Sequence, residues 1–255
     1  MSGERVTFGL IVIGSELLLG KRADGHFAHA VEALNRRGLE LSWCQYLGDD
    51  PDRIVIALRR SMADGDIVFC FGGIGATPDD HTRACAAQAA GVRLVKHPEA
   101  AAIIEARFGE HAYPQRIHMA NLPQGCTLIP NPVNQIAGFS LGDHHFVPGF
   151  PQMGWPMLDW LLDHRYPHLA RSDRPVERLL TLPGTSEGQI IHIIQDLVAR
   201  FPGVQLSCLP HMDGDYRETE LGIRGQLPDV EEAAAWLDAT LDCEGFKRTT
   251  NEPRS

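Results

Sequence analysis

The residues best suited to chemistry in this sequence are a run of glycines and four carboxylates that follow strand-like segments. The sharpest feature is FGGIGATPDDHT at residues 71–82, between an apolar run and a helical stretch. Its glycines allow a positive φ and let the backbone approach an anion closely, while the N–H groups that open the next helix point at whatever is bound. Asp79 and Asp80 would repel a phosphate unless a hard cation lay between them, which predicts a divalent ion such as Mg²⁺.

The same loop also fits a simple helix start. Thr77 suits the N-cap, Pro78 the first helical position and Asp80 the N3 position of a capping box, which predicts a helix from Pro78 to Ala90. On this interpretation the glycines only make a turn and Asp80 only caps. Both interpretations stay open at the level of the sequence.

Two other strand ends carry matching side chains. Ser15 and Glu16 follow the first apolar run, and Asp49 follows the second, where Asp50 fits the N-cap of the next helix. Because the carboxyl ends of parallel strands meet at one edge of a sheet, we expect these residues to lie on the same edge as Asp80. Several carboxylates at one cleft favour metal–phosphate chemistry over capping alone.

The remaining polar segments suggest loops and not nucleophiles. The runs NPVNQIAGF at 131–139 and VPGFP at 147–151 fit rigid loops that line a cleft with backbone amides. His144 and His145 are interpreted as turn and strand residues of a hairpin. The run GTSEG at 184–188 matches the letters of the GxSxG nucleophile elbow, but Ser186 has no suitable His/Asp arrangement, and the run is interpreted as the start of a helix in the second unit.

The elements that must position these residues alternate between strand and helix. Apolar runs near residues 6–13, 39–47 and 67–71 are separated by segments of helical periodicity, which predicts an α/β fold with a parallel sheet covered on both faces. A polar stretch at 168–175 then precedes a compact α+β unit. The predicted organisation is a first domain over 1–170, a small α+β domain over 175–246 and a flexible tail over 247–255.

Composition bounds the class of protein and its partners. The 255 residues carry a formal net charge of −10, with 44% hydrophobic and 22% charged residues, which argues against nucleic acid as a partner because such binding relies on phosphate neutralisation. The sequence has no apolar run long enough for a membrane helix and no basic leader. Six scattered cysteines favour a reduced compartment. We therefore expect a cytoplasmic protein without membrane or nucleic-acid partners.

Taken together, three motifs resemble the MoaB/Mog-type molybdopterin-binding domain in its CinA amino-terminal, competence/damage-inducible protein A-like form. They are GSELLLG at 14–20 (family pattern GTELLLG), GGIGATPDDHT at 72–82 (GGxGPTxDDxT) and VPGFP at 147–151 (LPGxP). The resemblance covers about residues 5–170, and the following unit is similar to the small domain that commonly comes next in that family. The carboxyl-terminal nicotinamide-nucleotide amidase domain of longer members is expected to be absent, so no deamidase activity is expected.

The resemblance implies a three-layer domain whose cleft takes a phosphorylated pterin, such as molybdopterin, or an adenine dinucleotide. Asp49 and Asp80 match acidic, metal-associated positions and become the candidate catalytic and metal-binding pair, with Mg²⁺, Co²⁺ or Ni²⁺ as the ion. A homo-oligomer is also implied. The candidate ligand-binding residues are Ser15, Glu16, Gly72, Gly73, Gly75, Thr77, Asp79, Pro148 and Gly149.

Three departures from the family pattern bear on this expectation. Ser15 replaces Thr and keeps the hydroxyl, whereas Ala76 replaces Pro and loosens the loop. Asp24, Gly25 and His26 stand where a Thr-Asn pair is common, so the contact of that Asn is not carried over.

The family spans several reactions, so membership does not fix the activity. The first hypothesis is a metal-dependent pyrophosphatase of ADP-ribose or FAD. The alternative is a non-catalytic molybdopterin- or nucleotide-binding protein linked to molybdenum cofactor metabolism. Adenylyl transfer to molybdopterin is a third hypothesis, which the trailing small domain disfavours.

Overall fold

A computed structural model describes residues 6–171, 175–214 and 216–251, which form two compact units over 1–170 and 171–255. The strands of the first unit are β1 Phe8–Ile13, β2 Leu41–Leu47, β3 Ile67–Phe71, β4 Leu94–Lys96, β5 Asn121–Pro123, β6 Thr127–Ile129, β7 Gly138–Leu141 and β8 His144–Val147. Its helices are α1 Ser15–Leu18, α2 His26–Asn35, α3 Pro51–Asp64, α4 Thr82–Ala90, α5 Pro98–Phe108 and α6 Pro151–His164, with 3-10 turns at Gly109–Ala112, Arg116–Ala120 and Pro167–Leu169.

A six-stranded sheet in the order β2-β1-β3-β8-β7-β6 forms the centre of the first unit. The first four strands in that order run parallel, and β7 and β6 add an antiparallel hairpin edge. Strand β1 is buried on both faces: Leu10 and Val12 pack in the core that α2 and α6 cover, and Ile11 and Ile13 in the core that α3 and α4 cover. The predicted α/β class with a covered parallel sheet is confirmed.

Two local predictions are confirmed. Helix α3 begins at Pro51 because the Asp50 side chain accepts hydrogen bonds from the N–H groups of Asp52 and Arg53. The turn between β7 and β8 has Gly142 at φ 60, a conformation that favours glycine.

Helix α4 starts later than the capping pattern predicts. It begins at Thr82 and not at Pro78, and His81, at the N-cap, makes no side-chain capping hydrogen bond. The chain instead turns from Thr77 to Asp80, whose N–H donates to the Thr77 carbonyl at 3.1 Å. The Asp80 carboxylate folds back onto the loop, so the capping-box interpretation is wrong.

The second unit has the order βαββαβ. Its elements are β9 Val176–Pro183, α7 Glu187–Arg200, β10 Gln205–Asp213, β11 Tyr216–Gly225, α8 Leu227–Cys243 and β12 Thr249–Asn251. The sheet order β10-β11-β9-β12, with antiparallel neighbours throughout, is the ferredoxin-like arrangement. Both helices pack on one face of the sheet around Leu180, Ile193 and Leu237.

Strand β12 differs from the expected flexible tail over 247–255. It pairs with β9, with Thr250 opposite Leu180, and Arg248 holds the approach to the strand through an ion pair with Asp238 at 3.0 Å and another with Asp242. The topology requires a last strand beside β9, whereas the short polar sequence gives no strand signal. Residues 252–255 lie outside the described residues.

Among the residues that the structure describes, no helix is both long enough and apolar enough to cross a membrane.

Candidate active site at the carboxyl edge of the parallel strands

Ser15 and Asp49 hold each other where two neighbouring strands end. The Ser15 N–H donates to Asp49 Oδ2 at 2.9 Å, and the Asp49 N–H donates to Ser15 Oγ at 3.0 Å. The pair follows β1 and β2, which are in parallel register up to Ile13 and Leu47. This leaves Oδ1 of Asp49 without a hydrogen bond among the described residues. The predicted convergence of Ser15 and Asp49 is therefore present in the structure.

The glycine loop after β3 is packed too closely for any side chain. Gly72 has φ 103, and a Cβ there would lie 2.1 Å from the Ile13 carbonyl oxygen. Gly73 has φ 67, and its Cβ would lie 2.2 Å from Thr82 Oγ1. Gly149, which follows β8, meets Gly72 from the other side: a Cβ on Gly149 would be 3.2 Å from Gly72 Cα. The ends of β1, β3 and β8 therefore meet at backbone contact distance.

Asp80 binds the loop's own donors. Its Oδ1 accepts the Gly75 N–H at 2.9 Å, and its Oδ2 accepts the Thr77 N–H at 2.8 Å and the Thr77 hydroxyl at 2.6 Å. These are the donors that the sequence assigns to a phosphate. Asp80, Gly75 and Thr77 therefore form one hydrogen-bonded unit, in which a carboxylate takes the place expected for the ligand's anion.

Arg83 holds this loop through hydrogen bonds to backbone carbonyls, and the sequence did not predict this role. Its Nη2 donates to the Gly75 carbonyl at 2.6 Å, and its Nη1 to the carbonyls of His118 and Asn121. Burial lowers the pKa of Arg83, while the charge of Asp80 opposes that shift. Among the described residues, Arg83 Nε and the nearby Thr82 Oγ1 are buried without a hydrogen-bond partner.

Two predicted carboxylates lie at the solvent-exposed rim. Glu16 is exposed, with Oε2 2.7 Å from the position that a Cβ on Gly14 would take. Asp79 is also exposed, and a hydrogen bond from Thr77 lowers the pKa of its carboxyl. Neither side chain is held by buried groups, so both remain able to reorient toward a ligand.

A buried histidine on the other side of the glycine loop was also missed. His26, at the start of α2, lies with Nε2 3.2 Å from the Gly149 carbonyl oxygen and accepts a hydrogen bond from Trp155. The only sequence signal was the departure from the family pattern at residues 24–26, because a single histidine on a helix carries no motif of its own.

The loop after β6 is fixed by its own amides. Asn131 Oδ1 accepts the N–H groups of Val133 and Asn134, and its Nδ2 donates to the Ile136 carbonyl. Asn134 donates to the sulfur of Met153, in the first turn of α6. The predicted rigidity of this segment therefore comes from side-chain hydrogen bonds, next to the 147–151 loop.

His144 and His145 lie at the opposite end of β8 from Gly149. Both are buried strand residues, and burial lowers the pKa of His144 to about 4 and that of His145 to about 3. His145 uses both ring nitrogens, with Ser140 Oγ at 2.8 Å and the Tyr166 hydroxyl at 2.6 Å. They are internal hydrogen-bonding groups, in agreement with the strand interpretation.

The carboxylates do not form a ready cage for a resident metal ion. Within residues 6–171, 175–214 and 216–251, no group of three or more His, Cys, Asp or Glu side chains is placed to hold one. Asp49 is bound to Ser15, and Asp80 to its own loop. A Mg²⁺ ion that brings its own phosphate oxygens needs only one or two protein carboxylates, so the residues suit a cation that arrives with the ligand better than a permanent one.

Comparison with known proteins agrees with the geometry of the first unit. Residues 9–170 match the family model described as "Probable molybdopterin binding domain". A CinA-like protein of Citrifermentans bemidjiense is 33% identical over 257 residues, covering 95% of this chain and 60% of the relative. A Pyrobaculum calidifontis protein, whose name gives no function, is 28% identical over 243 residues, covering 91% of this chain and 92% of its own length.

Among solved structures, CinA of Thermoplasma acidophilum, described as a protein of unknown function, is 29% identical with a TM-score of 0.57. The match covers 62% of this chain and 97% of that one. The family model spans more than half of the chain and includes both the glycine loop and the Ser15–Asp49 pair. The chain therefore belongs to the molybdopterin-binding-domain family, and it spans about 60% of the length of the CinA-like relative.

Proposed function

We propose that the carboxyl edge of β1, β2, β3 and β8 binds a phosphorylated ligand of the pterin or adenine-dinucleotide class. The observation that carries the proposal is the Ser15–Asp49 pair beside the glycine loop after β3. In that loop, the Gly72 backbone lies directly against Gly149, which follows β8. The N–H groups of Gly75 and Thr77 in this loop are the donors that an anion would take over from the Asp80 carboxylate. The three-layer α/β fold places ligands at this edge in general.

We further propose that the site hydrolyses the diphosphate linkage of ADP-ribose or FAD when the ligand carries a divalent cation. Water attacks one phosphorus, the bridging P–O bond breaks, and ADP-ribose yields AMP and ribose 5-phosphate. Oδ1 of Asp49 is the group placed to accept the proton of the attacking water, because Oδ2 is held by Ser15. The cation belongs to the substrate complex and neutralises charge between phosphate and carboxylate.

Binding in this scheme requires Asp80 to leave the loop donors. While its carboxylate accepts from Gly75 and Thr77, a phosphate cannot bind the same N–H groups. A cation with the ligand would attract Asp80 and release those donors, so we expect ligand affinity to depend on divalent ion.

The test combines turnover with matched variants. Purified protein is incubated with ADP-ribose or FAD and Mg²⁺, Co²⁺ or Ni²⁺, and AMP is measured by chromatography. We expect Asp49→Asn to lower the rate by about 10²-fold or more, the usual contribution of a positioned acid–base group. Asp80→Ala should also lower the rate, because it removes the carboxylate that attracts the ligand's cation. Asp64→Asn, at the far end of α3, is the control and should keep the wild-type rate. Absence of AMP with every ion, or undiminished AMP from Asp80→Ala, contradicts the pyrophosphatase proposal.

The alternative is a non-catalytic molybdopterin- or nucleotide-binding protein linked to molybdenum cofactor metabolism. It is favoured by the Asp80 carboxylate, which already accepts the hydrogen bonds of the loop donors. It is also favoured because no three His, Cys, Asp or Glu side chains among the described residues are placed to hold a metal ion. It predicts saturable heat of binding for ADP-ribose or a phosphorylated pterin in calorimetry, with no AMP in the turnover assay.

The proposal also includes a homo-oligomer in the cytoplasm. Light scattering coupled to gel filtration compares the mass in solution with the 28.1 kDa of one chain. Cell fractionation with a specific antibody tests the compartment. A mass of one chain at every concentration contradicts the oligomer.

A further inference from the structure

His26 connects four elements around the glycine loop. It opens α2, is 5% exposed, and its ring stacks on Phe71, the last residue of β3, with centroids 4.3 Å apart. Its Nδ1 meets Trp155 of α6, and its Nε2 meets the Gly149 carbonyl that follows β8. A single imidazole therefore touches the end of β3, the segment after β8 and both helices on that face of the sheet.

The two polar contacts fix one tautomer. The indole N–H of Trp155 can only donate, so Nδ1 of His26, 3.1 Å away, must be unprotonated. A neutral imidazole then carries its hydrogen on Nε2 and donates it to the Gly149 carbonyl at 3.2 Å. Protonation of Nδ1 would bring two donors face to face and break the contact with Trp155.

Neighbouring residues fix the backbone at His26 and shift the pKa of its imidazole. The Asp24 carboxylate accepts the N–H groups of His26 and Phe27, at 2.9 and 3.0 Å, and the Tyr46 hydroxyl at 2.7 Å. Burial is the main cause that lowers the pKa of His26; Asp24 and the Gly149 hydrogen bond act in the opposite direction, and Arg22 and His29 add to the lowering. From α6, the Asp159 carboxylate faces His29. The His29 ring stacks on Trp155, the same indole that donates to His26.

The carbonyl that His26 holds belongs to the residue in contact with the glycine loop. Gly149 lies against Gly72, and the Gly72 N–H donates to the Val147 carbonyl at 3.0 Å. Displacement of Gly149 would therefore move Gly72 as well, since the two backbones have no side chain between them to absorb the shift.

We propose that His26 is a positioning residue: its Nε2–H holds the Gly149 carbonyl, and thereby Gly149 against Gly72, in the arrangement to which a phosphorylated ligand binds. The effect on affinity rests on the proposed function, whereas the effect on the backbone does not.

The first experiment needs no ligand. In ¹⁵N-labelled protein comprising residues 1–255, His26→Gln and His26→Leu should shift the amide resonances of Gly72 and Gly149. His29→Gln is the control, because His29 stacks on the same Trp155 but does not contact Gly149, and it should leave both resonances in place. The proposal is overturned if the neutral His26 ring of the wild-type protein is a mixture of tautomers. It is also overturned if the Gly72 and Gly149 resonances are unchanged in a folded His26→Gln protein.

The second experiment measures affinity for ADP-ribose with Mg²⁺ by calorimetry. Loss of one positioning hydrogen bond should weaken binding about five- to tenfold in His26→Leu, and less in His26→Gln, which retains a donor. His29→Gln should stay within about twofold. Wild-type affinity should also fall as pH is lowered, because protonation of Nδ1 breaks the contact with Trp155 that orients the ring toward Gly149, and His26→Gln should lose that fall.

The two outcomes separate the two proposals. If wild-type protein binds neither ADP-ribose nor a phosphorylated pterin while the glycine amides shift in His26→Gln, the proposed function fails and the positioning role stands. If wild-type protein binds and His26→Leu, folded by circular dichroism, binds equally well at every pH, the positioning role is wrong.

Discussion

At the scale of single residues, the glycines of the site are fixed by backbone contacts. Gly72 and Gly73 were predictable because a GG run after a buried strand needs positive φ and close approach. Arg83 and His26 were not, because their roles depend on carbonyls of residues 118 and 149, which only the fold brings near. Sequence patterns identify residues with local requirements, and they miss side chains whose partners are distant in the chain.

Gly72→Ala tests this close approach. The new Cβ would meet the Ile13 carbonyl at 2.1 Å in addition to the strain of φ 103, so we expect a loss of roughly 2–4 kcal/mol in the free energy of unfolding. Gly91→Ala is the matched control: φ is 69 but no atom lies within 4 Å, so only about 1 kcal/mol should be lost. Urea denaturation measures both, and equal losses would show that the contact with Ile13 is not what requires glycine.

At the scale of elements, segments with a clear apolar pattern or a cap were predicted, whereas the 11-residue helix α5 and the short strands on either side of it were not. Strand β3 and helix α3 begin where the sequence indicated, since buried runs and caps are local signals. The segment between α4 and β6 gave no prediction, because β4 and β5 have three residues each and pair only with one another. Hydrogen bonds between distant segments define these strands, whereas the late start of α4 comes from local hydrogen bonds of Asp80 to Gly75 and Thr77.

Asp50→Ala tests the cap of α3, the helix that begins directly after Asp49. Removing the carboxylate leaves the N–H groups of Asp52 and Arg53 without their acceptor, so stability should fall by about 1 kcal/mol. Because the helix start follows the Ser15–Asp49 pair, ADP-ribose affinity should fall as well. Asp64→Ala, an exposed site in the last turn, should change the free energy of unfolding measured in urea by less than about 0.5 kcal/mol. A destabilisation no larger than that of Asp64→Ala would contradict the capping role.

At the scale of the whole molecule, the chain consists of two units with separate cores. The sequence indicated the division through a polar stretch near residue 170 and the composition of the second unit, but not its last strand. The formal net charge is −10, and the fold uses Asp24, Asp50 and Asp80 as hydrogen-bond acceptors for the backbone. The charge that suggested metal chemistry therefore serves structure in part.

Stability should fall in mild acid because two buried histidines are neutral in the folded chain. Folding lowers the pKa of His144 from 6.5 to about 4 and that of His145 to about 3. Below pH 6.5 the unfolded chain binds protons that the folded chain does not, so this stability is present above pH 6.5 and is lost as pH falls toward 4. Each histidine contributes a slope of about 1.4 kcal/mol per pH unit in that window.

His144→Gln isolates one of these contributions. The imidazole lies 2.8 Å from Ser61 Oγ, whose hydroxyl donates to the Leu58 carbonyl, so a glutamine amide can replace the donor without a titratable group. Urea unfolding at pH 7.5, 6 and 5 should show a slope smaller by about 1 kcal/mol per pH unit than in wild type. The exposed His111→Gln should keep the wild-type slope. Burial lowers the pKa of His26 and His29 as well, so the informative quantity is the difference in slope between His144→Gln and wild type. Equal slopes would mean that folding does not lower the pKa of His144.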